Sequence, residues 1–248
     1  MEDAIRHALS PTADEIGAVP SSSHAKIAAE LLGKSRRRAL DVGCGDGKFT
    51  RVLAAICSDV SGIDVKEGKI AEATAAAQSA GLKIDFRVAS AEDLPFPDAS
   101  LDVVVFSNSL HHIPRPDVAL REAIRVLAPG GVIYVMEPVP AGNYHEATRL
   151  VNDETIVRTQ AYRAVLASIA KDGLSATETM YRARRQFANF EAWKADQIDR
   201  DEKRRAAFDA DPEHVRRTFE GHADHEDGCL AFDHVLRVNL LNKVAPGA

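Results

Sequence analysis

The chain has 248 residues, 45% of them hydrophobic, and a formal net charge of −6. That is enough apolar material for one generous domain, or one domain with a large insertion, and the acidic balance gives no electrostatic footprint for nucleic acid or an anionic membrane. Cys44, Cys57 and Cys229 show no CxxC spacing and read as reduced thiols of a cytoplasmic protein; no run approaches the ~20 apolar residues of a membrane span, and the start Met1–His7 has no apolar leader segment.

Residues 1–23 are irregular, broken by Pro11, Pro20 and Ser21–Ser23, with a short helix expected near Asp3–Leu9. Ile27 and Leu31 set a helix over His24–Leu32 that ends at Gly33. The organising stretch follows: Ala39-Leu-Asp-Val-Gly-Cys-Gly-Asp-Gly-Lys-Phe-Thr50. A short apolar run ends in Asp41, a glycine loop comes next, and Phe49, Val52, Leu53 and Ile56 then recur at helical spacing. This predicts strand, glycine turn, helix, with Asp46 as the helix N-cap. Glycines let backbone N–H groups lie against a ligand, and the helix N-terminus favours a negative group. Asp64 ends the next apolar run; in doubly wound folds an acid about 20 residues beyond the loop grips ribose hydroxyls.

Further units alternate. Val60–Asp64 is a strand and Glu67–Ala80 a helix with Gly81 at its C-cap. Ile84–Val88 and the β-branched Leu101–Phe106 are strands, the latter buried on both faces. Pro116 opens a helix that Pro129-Gly-Gly131 stops, and Val132–Met136 is a fifth strand. Alternating strands and helices call for a parallel sheet covered on both sides, with ligands at the carboxyl ends of the strands. The pattern changes after Glu137. Residues 141–171 read as helices, with Tyr144 and His145 expected at the surface, and 180–228 as a charged, solvated helix face in which acids interleave with Arg182, Arg184, Arg185, Arg204, Arg205, Arg216 and Arg217. Cys229–Val244 reads as a late strand that completes the sheet.

Five segments occur in order: Leu40-Asp-Val-Gly-Cys-Gly-Asp-Gly47, Asp64, Ser90-Ala-Glu-Asp-Leu-Pro-Phe96, Asp102-Val-Val-Val-Phe-Ser-Asn-Ser-Leu-His-His-Ile113 and Arg125-Val-Leu-Ala-Pro-Gly-Gly131. Over about residues 36–137 the set resembles the class I S-adenosylmethionine-dependent methyltransferases, in particular the small-molecule group that includes quinone-biosynthesis C-methyltransferases. The resemblance implies an α/β, doubly wound, seven-stranded sheet, six strands parallel and the last antiparallel, with an inserted helical cover after the fifth strand. In those terms residues 1–35 are an N-terminal helical cover, 36–137 the cofactor-binding core, 138–228 the helical substrate cover and 229–248 the closing strand of a single domain. It also implies that Gly43, Cys44 and Gly45 line the methionine part of S-adenosylmethionine, with Asp41 steadying the loop and the amino group. Asp64 takes both ribose hydroxyls, Val65 packs on adenine, and Ala91 N–H meets the adenine edge. Ser90 stands where an acid often binds the adenine amino group, a contact that Glu92 could take over; Ser107 faces the methionine end. The loop reads GxGxG rather than the GxGxxG usual in dinucleotide-binding dehydrogenases.

Methyl transfer from a sulfonium is an in-line displacement, so the protein mainly holds donor and acceptor together and excludes water. His111 and His112, just past the fourth strand, are candidates for acceptor orientation or general base, His112 the stronger; the alternative is a packing turn with one imidazole bonded to backbone. Glu137 orients substrate, caps a helix or pairs with an arginine. His222 and His225 have metal-like spacing, but an exposed acidic loop explains them as well, and no metal is expected. The expected function is methylation of O, N or C of a small molecule, with S-adenosylhomocysteine as product, no nucleic-acid or membrane partner, and room for a homodimer. Two alternatives remain: a non-catalytic S-adenosylmethionine-binding protein with a partner-binding C-terminal part, and a non-methylating enzyme that uses the sulfonium.

Overall fold

The computed structural model describes residues 11, 13–33 and 37–243; the helix expected near Asp3–Leu9 lies outside them. The chain divides into two compact units.

The first unit comprises His24–Glu137, Gln160–Thr179 and the chain from Arg237 onward. In order it carries α2 (His24–Leu32), β1 (Arg38–Val42), α3 (Lys48–Leu53), β2 (Asp59–Asp64), α4 (Glu67–Ser79), β3 (Asp85–Val88), β4 (Leu101–Ser107), a 3-10 turn (Leu110–His112), α5 (Pro116–Val126) and β5 (Leu127–Pro138). It also holds most of α7 (Thr155–Asp172) and parts of β6 (Ser175–Phe187) and β8 (Cys229–Asn242). The sheet order is β3-β2-β1-β4-β5-β8-β6. β1 pairs in parallel with β2 and β4, β2 with β3, and β4 with β5. Gly130 N–H donates to the Lys243 carbonyl and Val139 N–H to the Val235 carbonyl, so β8 runs antiparallel to β5. Glu178 bonds Asn239 whereas Arg182 bonds Asp233, so β6 is antiparallel to β8 and points with the first five. Of these seven strands six share one direction and the last opposes them, as the resemblance implied; an eighth, three-residue strand (Asp224–Glu226) also pairs with β8, so the sheet has one strand more than expected.

Burial follows the sequence pattern. Val103–Phe106 of β4 are fully buried, and the core gathers Leu40, Val42, Ile63, Leu120, Ile133 and Leu241 around them. Gly81 has φ +68°, and Leu82 N–H reaches the Ala77 carbonyl, the left-handed helix stop expected there. The Pro129-Gly-Gly131 segment lies within β5 rather than before it. Leu101 pairs with Leu127 and Val103 with Val132, so residues 128–131 bulge opposite Asp102. At the start of the sheet Asp102 accepts three hydrogen bonds from Arg38, which ties β1 to β4.

The second unit comprises the residues up to Ser23, Pro138–Thr159 and Met180–Leu236. It holds α1 (Ala13–Ala18), α6 (Asn143–Thr148), α8 (Phe190–Gln197), α9 (Glu202–Ala210), α10 (Pro212–Gly221) and β7 (Asp224–Glu226), which pairs antiparallel with β8. Its core is aromatic: Trp193 stacks on Phe219 with centroids 4.1 Å apart, and Phe190, Phe232 and Tyr144 pack around them. Tyr144 and His145 are both buried, against the expected surface placement. The hydrophobic stripe of residues 141–151 turns inward on this cluster and takes them with it. Residues 138–228 are mainly helical, but they also supply β6 and β7, so Arg182, Arg184 and Arg185 sit on a strand. These arginines are held inside the unit: Arg182 by Asp233 and the Val19 carbonyl, Arg184 by Asp224, Glu226 and Asp233, and Arg185 over the Tyr144 ring at 4.6 Å. Arg216 pairs with Glu191 and Glu220.

Candidate functional site

In the first unit the strand order reverses between β1 and β4, because the chain builds β1, β2 and β3 outward and then returns. Ligands of open parallel sheets bind at that switch point, outside the carboxyl ends of the strands. The glycine loop and the Ser107–Ile113 turn both start there.

Gly43, Gly45 and Gly47 all have positive φ, the left-handed backbone that other residues enter at a cost of about 1–2 kcal/mol. Gly43 and Cys44 N–H both donate to the Ile63 carbonyl, which pins the loop to the end of β2. A Cβ on Gly43 would fall 2.6 Å from Ser109 Cβ, whereas one on Gly45 would meet nothing within 4 Å. The first glycine is needed for packing; the second leaves bare backbone facing open space. The N-cap of α3 is Gly47, not Asp46, because the left-handed turn at Gly47 moves the helix start one residue on. Asp46 still serves that end, its Oδ1 accepting from Lys48 N–H at 3.1 Å.

Asp41 is buried beneath the loop. Its Oδ2 accepts from Thr50 Oγ1 at 2.7 Å, while Oδ1 has no hydrogen-bond partner among the described residues. Burial pushes its carboxyl up to about 7, against the opposing pull of the Thr50 hydroxyl, and the nearby Asp64 charge adds to the rise. Burial likewise drives the Cys44 thiol well above its ordinary range, so it is no nucleophile. Asp64 stands at the end of β2 and uses both oxygens on backbone: Oδ2 accepts from Gly45 N–H at 3.0 Å and Oδ1 from Lys66 N–H at 2.9 Å. The acid and the loop are thus one assembly. Val65 beside it is 65% exposed, an apolar surface at a strand end.

Ser90, Ala91 and Glu92 follow β3 directly, and Ala89 N–H bonds the Asp64 carbonyl, so this segment lies against the end of β2. Ser90 Oγ accepts from Glu92 N–H at 3.1 Å. Glu92 itself is taken by Arg115, accepting from its backbone N–H and from its Nε and Nη2. Sequence reasoning missed this pairing; Glu92 is tied to the start of α5 rather than left to reach outward. Arg125 joins Glu122, Asp98 and the Leu94 and Phe96 carbonyls, fixing the rest of the loop.

Beyond Ser107, Asn108 turns with φ +55° and its N–H donates to the Met136 carbonyl. Ser109 Oγ donates to the Val42 carbonyl at 2.6 Å, tying this turn to the glycine loop. His111 is buried and His112 exposed, their rings 3.9 Å apart. Glu137 Oε1 accepts from Leu110 N–H at 2.8 Å and His111 N–H at 3.3 Å, and Oε2 bonds the His111 ring at Nδ1. Glu137 thus caps the Leu110–His112 turn, one of the roles expected for it, whereas its bond to the His111 ring was not expected. The signal available was its position at the end of β5, beside the end of β4.

In the second unit, His222 caps α10 and its ring Nδ1–H donates to the Thr218 carbonyl at 2.8 Å, while His225 lies on β7.

Residues 40–135 match the sequence model of a family described as a methyltransferase domain. The matched segment is less than half of the chain. The domain is 37% identical over 132 residues to 27-O-demethylrifamycin SV methyltransferase of Amycolatopsis mediterranei, covering 50% of this chain and 48% of that protein. It is 33% identical over 110 residues to the ubiquinone biosynthesis O-methyltransferase of Bordetella avium, covering 44% of each. The match thus spans about half the length of these curated relatives. The fold is shared with the YcgJ protein of Bacillus subtilis at a TM-score of 0.64 and 20% identity, over 89% of this chain and 97% of that one. Among the described residues no helix is long and apolar enough to cross a membrane.

Proposed function

We propose that this chain is an S-adenosylmethionine-dependent methyltransferase that moves a methyl group to O, N or C of a small organic molecule. The observation that carries the reading is the Asp64–Gly45 assembly: an acid at the carboxyl end of β2, bonded to a left-handed glycine whose face meets open space. The residues present fit the cofactor. Asp64 suits a pair of ribose hydroxyls, exposed Val65 the flat face of adenine, and Ala91 N–H its edge. Gly43, Cys44, Gly45 and Ser107 supply backbone for the methionine part, and the unbonded Asp41 Oδ1 offers the carboxylate charge that an ammonium group seeks. Ser90 and Glu92 shape the adenine end indirectly, since each is held by its own neighbours.

Bound S-adenosylmethionine would supply a methyl group activated by its sulfonium. The chain's part is to bind, orient and keep water out. His111 and His112 sit at the end of β4, where an acceptor would be oriented or deprotonated. A small-molecule acceptor agrees with the acidic net charge, and nucleic acid is disfavoured because Arg182, Arg184, Arg185 and Arg216 of the second unit are engaged by acids, a carbonyl and rings. Three free thiols suit the cytoplasm.

Calorimetric titration of S-adenosylmethionine and S-adenosylhomocysteine into the purified protein tests the reading. Micromolar or tighter binding is expected. Absence of binding in folded, ligand-free protein would overturn it.

A further inference from the structure

We propose that the second unit carries a carboxylate site built on Arg185, which takes a small organic acid with an aromatic or apolar body. That this acid is the methyl acceptor rests on the methyltransferase reading. Side chains alternate along β6. Arg182, Arg184 and Gln186 share one face, and each meets an acid there: Asp233 for Arg182, Asp224, Glu226 and Asp233 for Arg184, Glu226 for Gln186. Arg185 stands on the other face with buried Tyr181 and Ala183 and half-buried Phe187. Among the described residues it has no acid and no hydrogen-bond acceptor. Its contacts are two rings, Tyr144 at 4.6 Å and Phe187 at 5.7 Å.

Arg185 is half-buried. A charge that gives up part of its hydration is kept where a partner replaces the lost water. The rings replace it only in part. They meet the flat side of the guanidinium and leave its in-plane N–H donors unused. Acids are not scarce here, since three of them sit on the opposite face of the same strand. The partner of Arg185 is therefore an anion from outside the chain. A second donor stands close by. Trp193 Nε1 is buried with no hydrogen-bond partner among the described residues. Burial raises the Tyr144 hydroxyl above its ordinary range, and the Arg185 charge and the Trp193 indole N–H both act against that rise. One cation and one neutral donor thus gather around the same tyrosine.

The arrangement selects the anion. A guanidinium presents parallel N–H groups that match the two oxygens of a carboxylate. One cation balances one negative charge. A phosphate group, close to doubly charged at neutral pH, would leave the excess unmatched among aromatic side chains. Tyr144 and Phe187, with ring centroids 6.4 Å apart and nearly parallel, suit the apolar body of the acid.

The test uses the full chain and benzoate as probe, read by the indole N–H signal of Trp193, the single tryptophan of the chain. Benzoate should shift that signal saturably at millimolar concentration or below. Benzamide, its neutral counterpart, should bind at least tenfold more weakly, and inorganic phosphate should not displace benzoate. Arg185→Gln should weaken benzoate at least tenfold, as should Arg185→Lys, which keeps the charge but not the planar fork. Arg217→Gln, at an exposed position of α10, should change it less than twofold. An arginine that served only the fold would leave ligand-free Arg185→Met less stable than wild type. Its melting temperature should instead equal or exceed that of wild type, with the rise induced by benzoate lost. No saturable shift, an equal response to benzamide, tighter binding of phosphate, benzoate affinity indifferent to Arg185→Gln, or a lower melting temperature of ligand-free Arg185→Met would overturn the proposal. S-adenosylhomocysteine affinity is measured in parallel and should survive Arg185→Gln. Its presence in wild type with any of those results sinks the carboxylate site alone. Its absence beside Arg185-dependent benzoate binding sinks the methyltransferase reading and leaves the carboxylate site standing.

Discussion

Gly43 and Ser109 hold the two loops of the switch point together. A Cβ on Gly43 would lie 2.6 Å from Ser109 Cβ and 3.3 Å from its Oγ, and that same Oγ donates to the Val42 carbonyl at 2.6 Å. Gly43→Ala therefore meets both left-handed strain and overpacking, together about 2–4 kcal/mol of stability. Ser109→Gly alone should cost about 1 kcal/mol or somewhat more, for the lost hydrogen bond and the flexible backbone. In the double variant the clash is gone, so the costs should fall short of additivity by about 1–2 kcal/mol in urea unfolding. Strict additivity would mean that this contact does not set the glycine requirement.

Gly45 separates binding from stability. With nothing within 4 Å of its Cβ position and φ +54°, Gly45→Ala pays only backbone strain, about 1–2 kcal/mol. The new methyl group stands where backbone is proposed to meet the cofactor. The melting temperature should drop by a few degrees, while S-adenosylhomocysteine affinity falls at least tenfold by calorimetry. Unchanged affinity would remove Gly45 from the binding surface.

Asp64 carries two loads that its variants can divide. Its carboxylate bonds Gly45 and Lys66 N–H and is the proposed ribose acceptor. Asp64→Ala should lose two charge-assisted hydrogen bonds to the ribose, each about 1.5–3 kcal/mol, or at least a hundredfold in affinity. Asp64→Asn retains one oxygen for the loop. It should recover much of the thermal stability lost in Asp64→Ala but little of the affinity. Equal recovery of both would identify Asp64 as a loop brace only.

The parts of this fold that were readable from the sequence are those written in short-range patterns. Val103–Phe106 announce a doubly buried strand through unbroken β-branched and aromatic residues, and Gly81 a helix stop through the left-handed turn it permits. β6 was hidden. Its run Ser175–Phe187 is rich in charge, and arginines that look like a solvated helix face are neutralised by Asp233 and Glu226, 40 or more residues away. The burial of Tyr144 and His145 depends on an aromatic cluster assembled from α8, α10 and β8, which no local window contains. Within the site, the glycines and Asp64 were legible because their spacing encodes one turn. The Glu137–His111 and Glu92–Arg115 pairs were not, because each joins residues more than 20 positions apart.

Asp41 predicts a pH dependence with a definite sign. Burial, opposed by Thr50 and reinforced by the Asp64 charge, raises its carboxyl from 3.8 to about 7. Below about pH 4 native and unfolded chains both hold the proton, and the group costs nothing. As pH climbs toward 7 the unfolded chain releases it while the native chain keeps it, so stability falls with rising pH, by on the order of 4 kcal/mol in all. Asp41→Asn cannot ionise and should lack this decline. Urea unfolding at about pH 5 and pH 8 should therefore show wild type losing stability relative to the variant across that interval. A parallel profile for the two proteins would place the Asp41 ionisation outside it. The same protonation bears on the proposed ligand. An ammonium group beside Oδ1 would draw the proton off, so S-adenosylmethionine binding near pH 6 should release a fraction of a proton, measured by calorimetry in buffers of different ionisation enthalpy. Wild type should show the release and Asp41→Asn should not; equal release from both would mean that the proton comes from another group.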